Sequence, residues 1–182
     1  MLHPNYLGEL VNIGGVALEQ EDRFIAGCVT VNPHLYGDEN PCGLLRIVNE
    51  RYYQFVISRA LMSAYRYRVN IEEDRRDFVL RDRSGGEWIA TGEMKLWLSS
   101  RSETDLPSIR SDIAKLRNTP SRSGFLLVAT AWRPQEAETY LEILRTRLEL
   151  TSSPATSQYR FRTIGWRGNR DVEFALLGLA VI

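Results

Sequence analysis

The sequence predicts an α/β protein in which helices flank a mixed central sheet. Three observations support this prediction. Apolar residues recur with the helical period from about Gly43 to Tyr65, and three strand-like segments follow in quick succession. A near-continuous apolar run over Phe125 to Trp132 then has amphipathic, helix-like segments on both sides. Strands that alternate with helices in this way are typical of a sheet covered by helices.

The N-terminal part gives a weaker pattern. The apolar run Phe24 to Val31 predicts one or two strands, and the turn-rich stretch Asn32 to Pro41 predicts a loop after them. We therefore expect residues 1–41 to form an N-terminal elaboration that adds strands to the sheet.

Three extended segments follow the first predicted helix, over residues 66–72, 75–81 and 87–99. The last two are joined by Asp82-Arg-Ser-Gly-Gly86, and its Ser-Gly-Gly sequence is typical of a hairpin turn. The sequence therefore predicts an antiparallel meander of three strands.

The remaining segments complete the predicted sheet. Pro107 to Arg117 carries Pro in its first turn and predicts a second helix, and Phe125 to Trp132 predicts a central strand covered on both faces. Pro134 to Leu150 predicts an amphipathic helix. Tyr159 to Trp166 and Val172 to Ile182 predict a C-terminal pair of strands.

Length and composition predict one domain over residues 1–182, with a core at 43–132 and a C-terminal helix and strand pair at 133–182. Lys+Arg and Asp+Glu both number 23, so any phosphate-binding surface must arise from local clustering. Two Cys and two His argue against a structural zinc site. We expect a cytoplasmic protein without membrane association, because no signal-like N-terminus and no membrane-length apolar stretch is evident.

One pattern suggests chemistry. Glu93 and Lys95 share one face of a predicted strand whose other face is apolar, because strand side chains alternate with period two. A suitable register brings Asp77 of the preceding strand alongside Glu93. Two carboxylates in a partly buried place repel each other and favour a bound cation, and their oxygens suit Mg²⁺ or Mn²⁺. Lys95 could then orient or deprotonate a water and offset charge on a phosphate.

A simpler interpretation stands beside this one. Glu-x-Lys on a strand is common, and an exposed ion pair of this type contributes only about 0–1 kcal/mol without any chemistry. In that case Glu93 and Lys95 pair with each other in a non-catalytic module that binds nucleic acid or protein.

The segment Arg76-Asp77-Phe-Val-Leu80, a Gly-containing turn, and Ile89-Ala-Thr-Gly-Glu93-Met-Lys95-Leu-Trp resembles the PD-(D/E)xK nuclease superfamily. Asp77 and Glu93 are 16 positions apart (93 − 77), a separation that this superfamily uses. The resemblance covers residues 43–132 and implies a restriction-endonuclease-like αβββαβ core.

The resemblance also implies an activity and a set of site residues. Asp77, Glu93 and the main-chain carbonyl of Met94 would ligate Mg²⁺ or Mn²⁺, Lys95 would position the attacking water, and phosphodiester bonds of DNA would be hydrolysed. Some members add a Glu from the first helix, a role that falls on Glu50, although a solvated helix carboxylate explains Glu50 equally well.

The sequence departs from the superfamily pattern at one position. Arg76 stands where the superfamily has Pro before the metal-binding Asp, and Asp74 is therefore a lesser alternative ligand.

Local clusters of basic residues are candidates for DNA contact, although a solvated surface explains them equally well. They lie around the second helix and on the C-terminal strands: Arg101, Lys115, Arg117, Arg160 and Arg162. A small nuclease that cuts both strands of a duplex would also be expected to form a homodimer.

Overall fold

The computed structural model describes residues 5–36, 42–64, 68–82, 84, 86–98, 105–119, 121, 123–133, 142, 144–146, 148, 155–163 and 172–181. The described helices are α1 (Asn5–Val31), α2 (Pro33–Tyr36), α3 (Glu50–Ala64) and α4 (Leu106–Arg117), with a short 3₁₀ turn at Leu44–Arg46. The described strands are β1 (Arg68–Glu73), β2 (Arg76–Arg81), β3 (Trp88–Trp97), β4 (Gly124–Trp132), β5 (Thr156–Thr163) and β6 (Val172–Ala180).

These strands form one six-stranded sheet in the order β1-β2-β3-β4-β6-β5. β3 and β4 run parallel, joined by a connection that contains α4, and the other neighbours are antiparallel. Helices α1 and α3 cover one face, whereas α4 packs on the other against Trp97, Val128 and Leu177. The predicted α/β class with a mixed sheet flanked by helices is therefore confirmed. From α3 to β4 the order is helix, three strands, helix, strand, as the sequence predicts.

The predicted N-terminal strands are wrong, because residues 5–31 form the 27-residue helix α1. Its buried residues recur every three or four positions, so the helical period outweighs the apolar run at its end: Leu7, Val11, Gly14, Leu18, Asp22 and Ile25. Although α1 is long, neither it nor any other helix in the described part of the chain is apolar enough to cross a membrane.

Other element boundaries also differ from the predictions. The first predicted helix begins at Glu50 rather than near Gly43, because the 3₁₀ turn and an extended segment precede it. The C-terminal strand pair is confirmed as β5 and β6. Of the predicted helix at 134–150, residues 142 and 144–146 are helical and the rest lies almost entirely outside the described residues, as does the predicted turn at 167–170.

A buried carboxylate fastens α1 to two distant parts of the chain. Asp22 Oδ1 accepts hydrogen bonds from the main-chain N–H of Leu44, at 2.7 Å, and from the Thr163 hydroxyl on β5, at 2.5 Å. Burial raises the pKa of Asp22, and these two hydrogen bonds oppose that effect. Nearby, the Tyr159 hydroxyl of β5 donates to Glu19 Oε2 of α1. These contacts fix α1 across the β5 edge of the sheet.

The glycines of α1 differ in what surrounds them, which gives a matched test of this packing. A β-carbon on Gly15 would lie 2.3 Å from the Tyr159 ring, whereas one on Gly27 meets nothing within 4 Å. We expect Gly15→Ala to lower the free energy of unfolding by about 1–3 kcal/mol through overpacking. Gly27→Ala should raise it by about 0.5–1 kcal/mol through helix propensity. Urea unfolding of both variants measures the difference, and equal effects would contradict the close approach of α1 to β5.

Candidate active site

The candidate site lies where β2 stops pairing with β3. The last cross-strand pair toward the start of β2 is Phe78 with Gly92, and β3 continues beyond it. Two peptide N–H groups on this edge of β3 are satisfied by carboxylates instead of by a strand. Asp77 Oδ2 accepts the N–H of Met94 at 2.8 Å, and Glu50 Oε2 accepts the N–H of Leu96 at 3.0 Å. Asp77 and Glu50 therefore both lie along the free part of the β3 edge, two residues apart.

The strand alternation predicted for β3 is confirmed. Met94 packs into the core beneath α1 and α3, whereas Glu93 and Lys95 share the face covered by α4. Lys95 Nζ lies 3.2 Å from Glu50 Oε1 and 3.0 Å from Asp112 Oδ2 of α4. Lys95 is thus held between carboxylates from two helices on opposite sides of the sheet.

Glu93 has a different cationic partner. Its side chain is only 3% exposed, and its Oε1 lies 2.5 Å from Lys115 Nζ of α4. Burial raises the pKa of Glu93 to about 7, and the negative charges of Asp77 and Asp112 add to the rise while Lys115 opposes it. The effect of Asp77 agrees with the β2–β3 register, which carries Asp77 alongside Glu93. The two carboxylates predicted to be neighbours are therefore close enough to interact.

The charge state of Lys95 follows from the same cluster. Burial lowers the pKa of Lys95, but the hydrogen bond that Lys95 donates to Asp112 and the charge of Glu50 more than offset it, so the net pKa lies above its ordinary value. Lys95 is consequently an ammonium group at neutral pH, which donates hydrogen bonds and cannot accept a proton.

Close packing around Gly92 fixes the position of the β3 backbone next to Glu93. A β-carbon on Gly92 would lie 2.2 Å from the Phe125 ring of β4, so the ring occupies the space that any other residue would need. Phe125 also stacks with Phe78, at 6.2 Å between ring centroids. The backbone that carries Glu93 is therefore held between two aromatic side chains of the neighbouring strands.

The sequence did not suggest the part played by α4. Asp112 was not among the predicted site residues, and Lys115 was predicted only as a DNA contact. One sequence feature could have identified Asp112: it falls within the apolar stripe of α4 formed by Ile109, Ile113 and Leu116. A carboxylate on a buried helix face needs a partner, and here the partner is Lys95.

Asp74 and Asp77, the two candidate carboxylates near the start of β2, lie in different surroundings. Asp74 is exposed in the β1–β2 turn, with φ of 50°, whereas the Asp77 carboxylate is bonded to β3. Arg76, which directly precedes Asp77, donates from Nε to the Thr119 hydroxyl at 3.0 Å. The geometry thus favours Asp77 over Asp74 as the site carboxylate.

The predicted DNA contacts are dispersed. Arg117 is exposed at the end of α4, and Arg101 lies outside the described residues. Arg160 and Arg162 lie on β5, three strands or about 14 Å from β3. Arg160 stacks its guanidinium over the Trp132 ring at 5.7 Å and donates to Gln158. The structure therefore brings Lys115 to the candidate site, whereas Arg160 and Arg162 lie on a distant strand.

The donors fit a hard divalent cation in kind. All are carboxylate oxygens, and the described cluster holds four carboxylates against two lysine ammonium groups: Glu50, Asp77, Glu93, Asp112, Lys95 and Lys115. Each carboxylate already has a protein partner, and no group of three His, Cys, Asp or Glu within the described residues has the arrangement of a metal site. A metal ion would therefore have to compete with these partners for the charge of the same carboxylates.

No protein-family profile, curated protein or solved structure matches this chain. The resemblance to nucleases consequently rests on the residues and the element order of this chain.

The pKa of Glu93 gives a pH-dependent stability. Its ordinary pKa is 4.5 and its pKa in the folded protein is about 7, so the folded state binds the proton more tightly. The contribution of Glu93 to the free energy of unfolding is therefore greatest below pH 4.5, and it is lost as the pH rises through about 7. Over this pH range we expect the free energy of unfolding of the wild type to fall by about 3 kcal/mol relative to that of Glu93→Gln, whose side chain stays neutral. Urea unfolding of both proteins at several pH values measures it. The exposed carboxylate variant Glu9→Gln is the control, and parallel curves for the wild type and Glu93→Gln would refute the shift.

Proposed function

We propose that the protein is a metal-dependent phosphodiesterase that acts on DNA as a nuclease. Asp77, Glu93 and the carbonyl of Met94 would hold Mg²⁺ or Mn²⁺. The observation that carries the proposal is the convergence of Glu50, Asp77, Glu93 and Lys95, from three separate elements, at the point where β3 leaves β2. An accidental Glu-x-Lys pair would not be expected to gather the other two carboxylates.

The element order supports the same proposal. α3, β1, β2, β3, α4 and β4 follow one another as helix, three strands, helix and strand, which is the order of the restriction-endonuclease-like core. The four residues lie on the elements to which the PD-(D/E)xK resemblance assigns them: Glu50 on the first helix, Asp77 on the second strand, and Glu93 and Lys95 on the third.

The edge of β3 also suits the proposed ligand set. The N–H and C=O of one residue point to the same side of a strand, so the Met94 carbonyl lies on the edge where its N–H meets Asp77. A divalent ion, when bound, would offset charge on the phosphate and make a water more acidic.

The remaining roles belong to charged side chains. Lys95, as an ammonium group, would orient a water by donation and stabilise negative charge that develops on the phosphate. It would not act as a base. Glu50 and Asp112 would keep its ammonium group in place, since both lie within 3.2 Å of Nζ. Glu50 is therefore assigned as a positioning residue for Lys95.

DNA is the proposed substrate because of the arginines on the α4 face of the sheet. Arg160 and Arg162 alternate with Phe161, which belongs to the opposite core, so both arginines face the same side as Lys95. A backbone crossing this face could contact them and Arg117 at some distance from the cleaved bond. Cleavage of both strands would require a homodimer, because one chain carries one proposed site.

Removing charge from the site should abolish cleavage. We expect Asp77→Asn and Lys95→Gln to lower the rate of Mg²⁺- or Mn²⁺-dependent DNA cleavage by about 100-fold or more. Asp77→Asn keeps an oxygen for the Met94 N–H and removes the charge. Asp74→Asn is the matched control, because Asn tolerates the positive φ of that turn, and it should retain activity. Gel assays with linear, nicked and single-stranded DNA measure the rates, and circular dichroism checks folding.

Two outcomes would contradict this assignment. Metal-dependent cleavage that survives both Asp77→Asn and Lys95→Gln would place the chemistry elsewhere. If Asp74→Asn loses cleavage while Asp77→Asn retains it, then Asp74 and not Asp77 is the metal ligand.

A non-catalytic nucleic-acid-binding or protein-interaction module is the second candidate. The observation that favours it is that Lys115 already neutralises Glu93, and that Asp112 and Glu50 already flank Lys95. The sequence predicts that Glu93 and Lys95 pair with each other in such a module, but in the structure Glu93 pairs with Lys115, and Lys95 pairs with Glu50 and Asp112. Here the internal ion pairs would be permanent and structural.

Metal binding separates the two candidates. For the nuclease we expect calorimetry with MnCl₂ to detect one site per chain at millimolar concentration, and Asp77→Asn to weaken that binding by about tenfold or more. Asp74→Asn should bind as the wild type does. Absence of Mn²⁺ binding at millimolar concentration would favour the non-catalytic module.

A further inference from the structure

Lys115 contacts Glu93 from the helix that crosses above β3. Its Nζ lies 2.5 Å from Glu93 Oε1, and the Glu93 side chain is 3% exposed. A carboxylate buried to this extent needs a cation or a proton beside it. We propose that Lys115 is an internal competitor for the metal: its ammonium group holds Glu93 in the metal-free protein and must leave for a divalent ion to bind. This inference rests on the proposed metal site.

The two lysines of the cluster differ in how firmly they are held. Lys95 lies between two carboxylates and its side chain is 17% exposed, whereas the Lys115 side chain is 29% exposed and reaches Glu93 from the outside of the sheet. A long side chain with one end near solvent can move its charge into water at small cost. Lys115 is therefore the ammonium group that can withdraw, and Lys95 is the one that stays.

The backbone beneath Lys115 is anchored, which confines the movement to the side chain. The Thr119 hydroxyl donates to the main-chain carbonyl of Lys115 at 2.9 Å, and Arg76 of β2 donates to the same hydroxyl at 3.0 Å. These two hydrogen bonds join the last turn of α4 to the start of β2. Release of Glu93 would consequently need only a change of the Lys115 rotamers, with α4 in place.

The charge balance gives the sign of the effect. In the cluster, carboxylates outnumber the lysine ammonium groups by two, and Lys115 faces Glu93, one of the proposed ligands. Without that ammonium group, only a proton or a divalent ion remains to neutralise Glu93, so an excess of divalent ion no longer has to displace a tethered cation. A variant that lacks the charge at position 115 should therefore bind metal more tightly than the wild type.

Calorimetry with MnCl₂ on the full chain tests this inference. We expect Lys115→Met to bind Mn²⁺ about tenfold more tightly than the wild type. Lys115→Arg keeps the charge and should remain within about twofold of the wild type. Arg117→Met removes an exposed positive charge from the same helix and controls for the general change in net charge, so its effect should be much smaller than that of Lys115→Met.

A second readout does not depend on catalysis. A ligand that binds only the folded state raises the melting temperature, and the rise grows with affinity. Addition of about 1 mM MnCl₂ should therefore raise the melting temperature of Lys115→Met more than that of the wild type. Lys115→Gln, which keeps a hydrogen-bond donor, repeats both measurements if Lys115→Met does not fold.

The outcomes separate this inference from the proposed function. Tighter binding by the uncharged variants, including binding seen only in them, supports competition. Equal or weaker binding, or an effect no larger than that of Arg117→Met, overturns the competition and leaves the proposed metal site intact. Absence of Mn²⁺ binding in every variant overturns both.

Discussion

Unpaired peptide groups on the edge of β3 are the constraint on which the candidate site depends. β3 is paired with β4 from Thr91 to Trp97 on one side, but on the other side β2 leaves it after the pair of Phe78 with Gly92. The N–H groups of Met94 and Leu96 must still find acceptors, since an unsatisfied peptide group is costly away from water. Asp77 and Glu50 provide them. The same hydrogen bonds that complete the sheet therefore bring Asp77 beside Glu93 and Glu50 beside Lys95.

The electrostatics of the cluster follow from this concentration of negative charge. Each charged group at the centre is held by a partner from another element, with α4 supplying one carboxylate and one ammonium group in a single turn, at Asp112 and Lys115. Because α4 lies in the connection between the parallel strands β3 and β4, it has to cross the sheet near these strands. Topology thus decides that a helix, and not solvent, faces Glu93 and Lys95.

The parts of the site that depend on strand periodicity could be predicted from the sequence. Alternation alone places Glu93 and Lys95 on one face, and a hairpin register suffices to bring Asp77 near them. The contacts with α4 depend on the rotation and height of a helix that is remote in the chain, which local pattern does not determine. The sequence predicts strands in place of α1 because the apolar run at its end carries the β-branched residues Val29, Thr30 and Val31. Two of its glycines, Gly14 and Gly15, are positions of close packing against Leu176 and Tyr159.

The hydrogen bonds of α1 also bear on the order of assembly during synthesis. Asp22 and Glu19 bond to Thr163 and Tyr159, partners about 140 residues later in the chain. A ribosome releases α1 long before it has made β5, so the buried stripe of the helix has no sheet edge to cover during most of elongation. The strands that carry the candidate site are complete earlier. Final docking of the first helix on the sheet is therefore a late event, although α3, against which α1 also packs, is made much earlier.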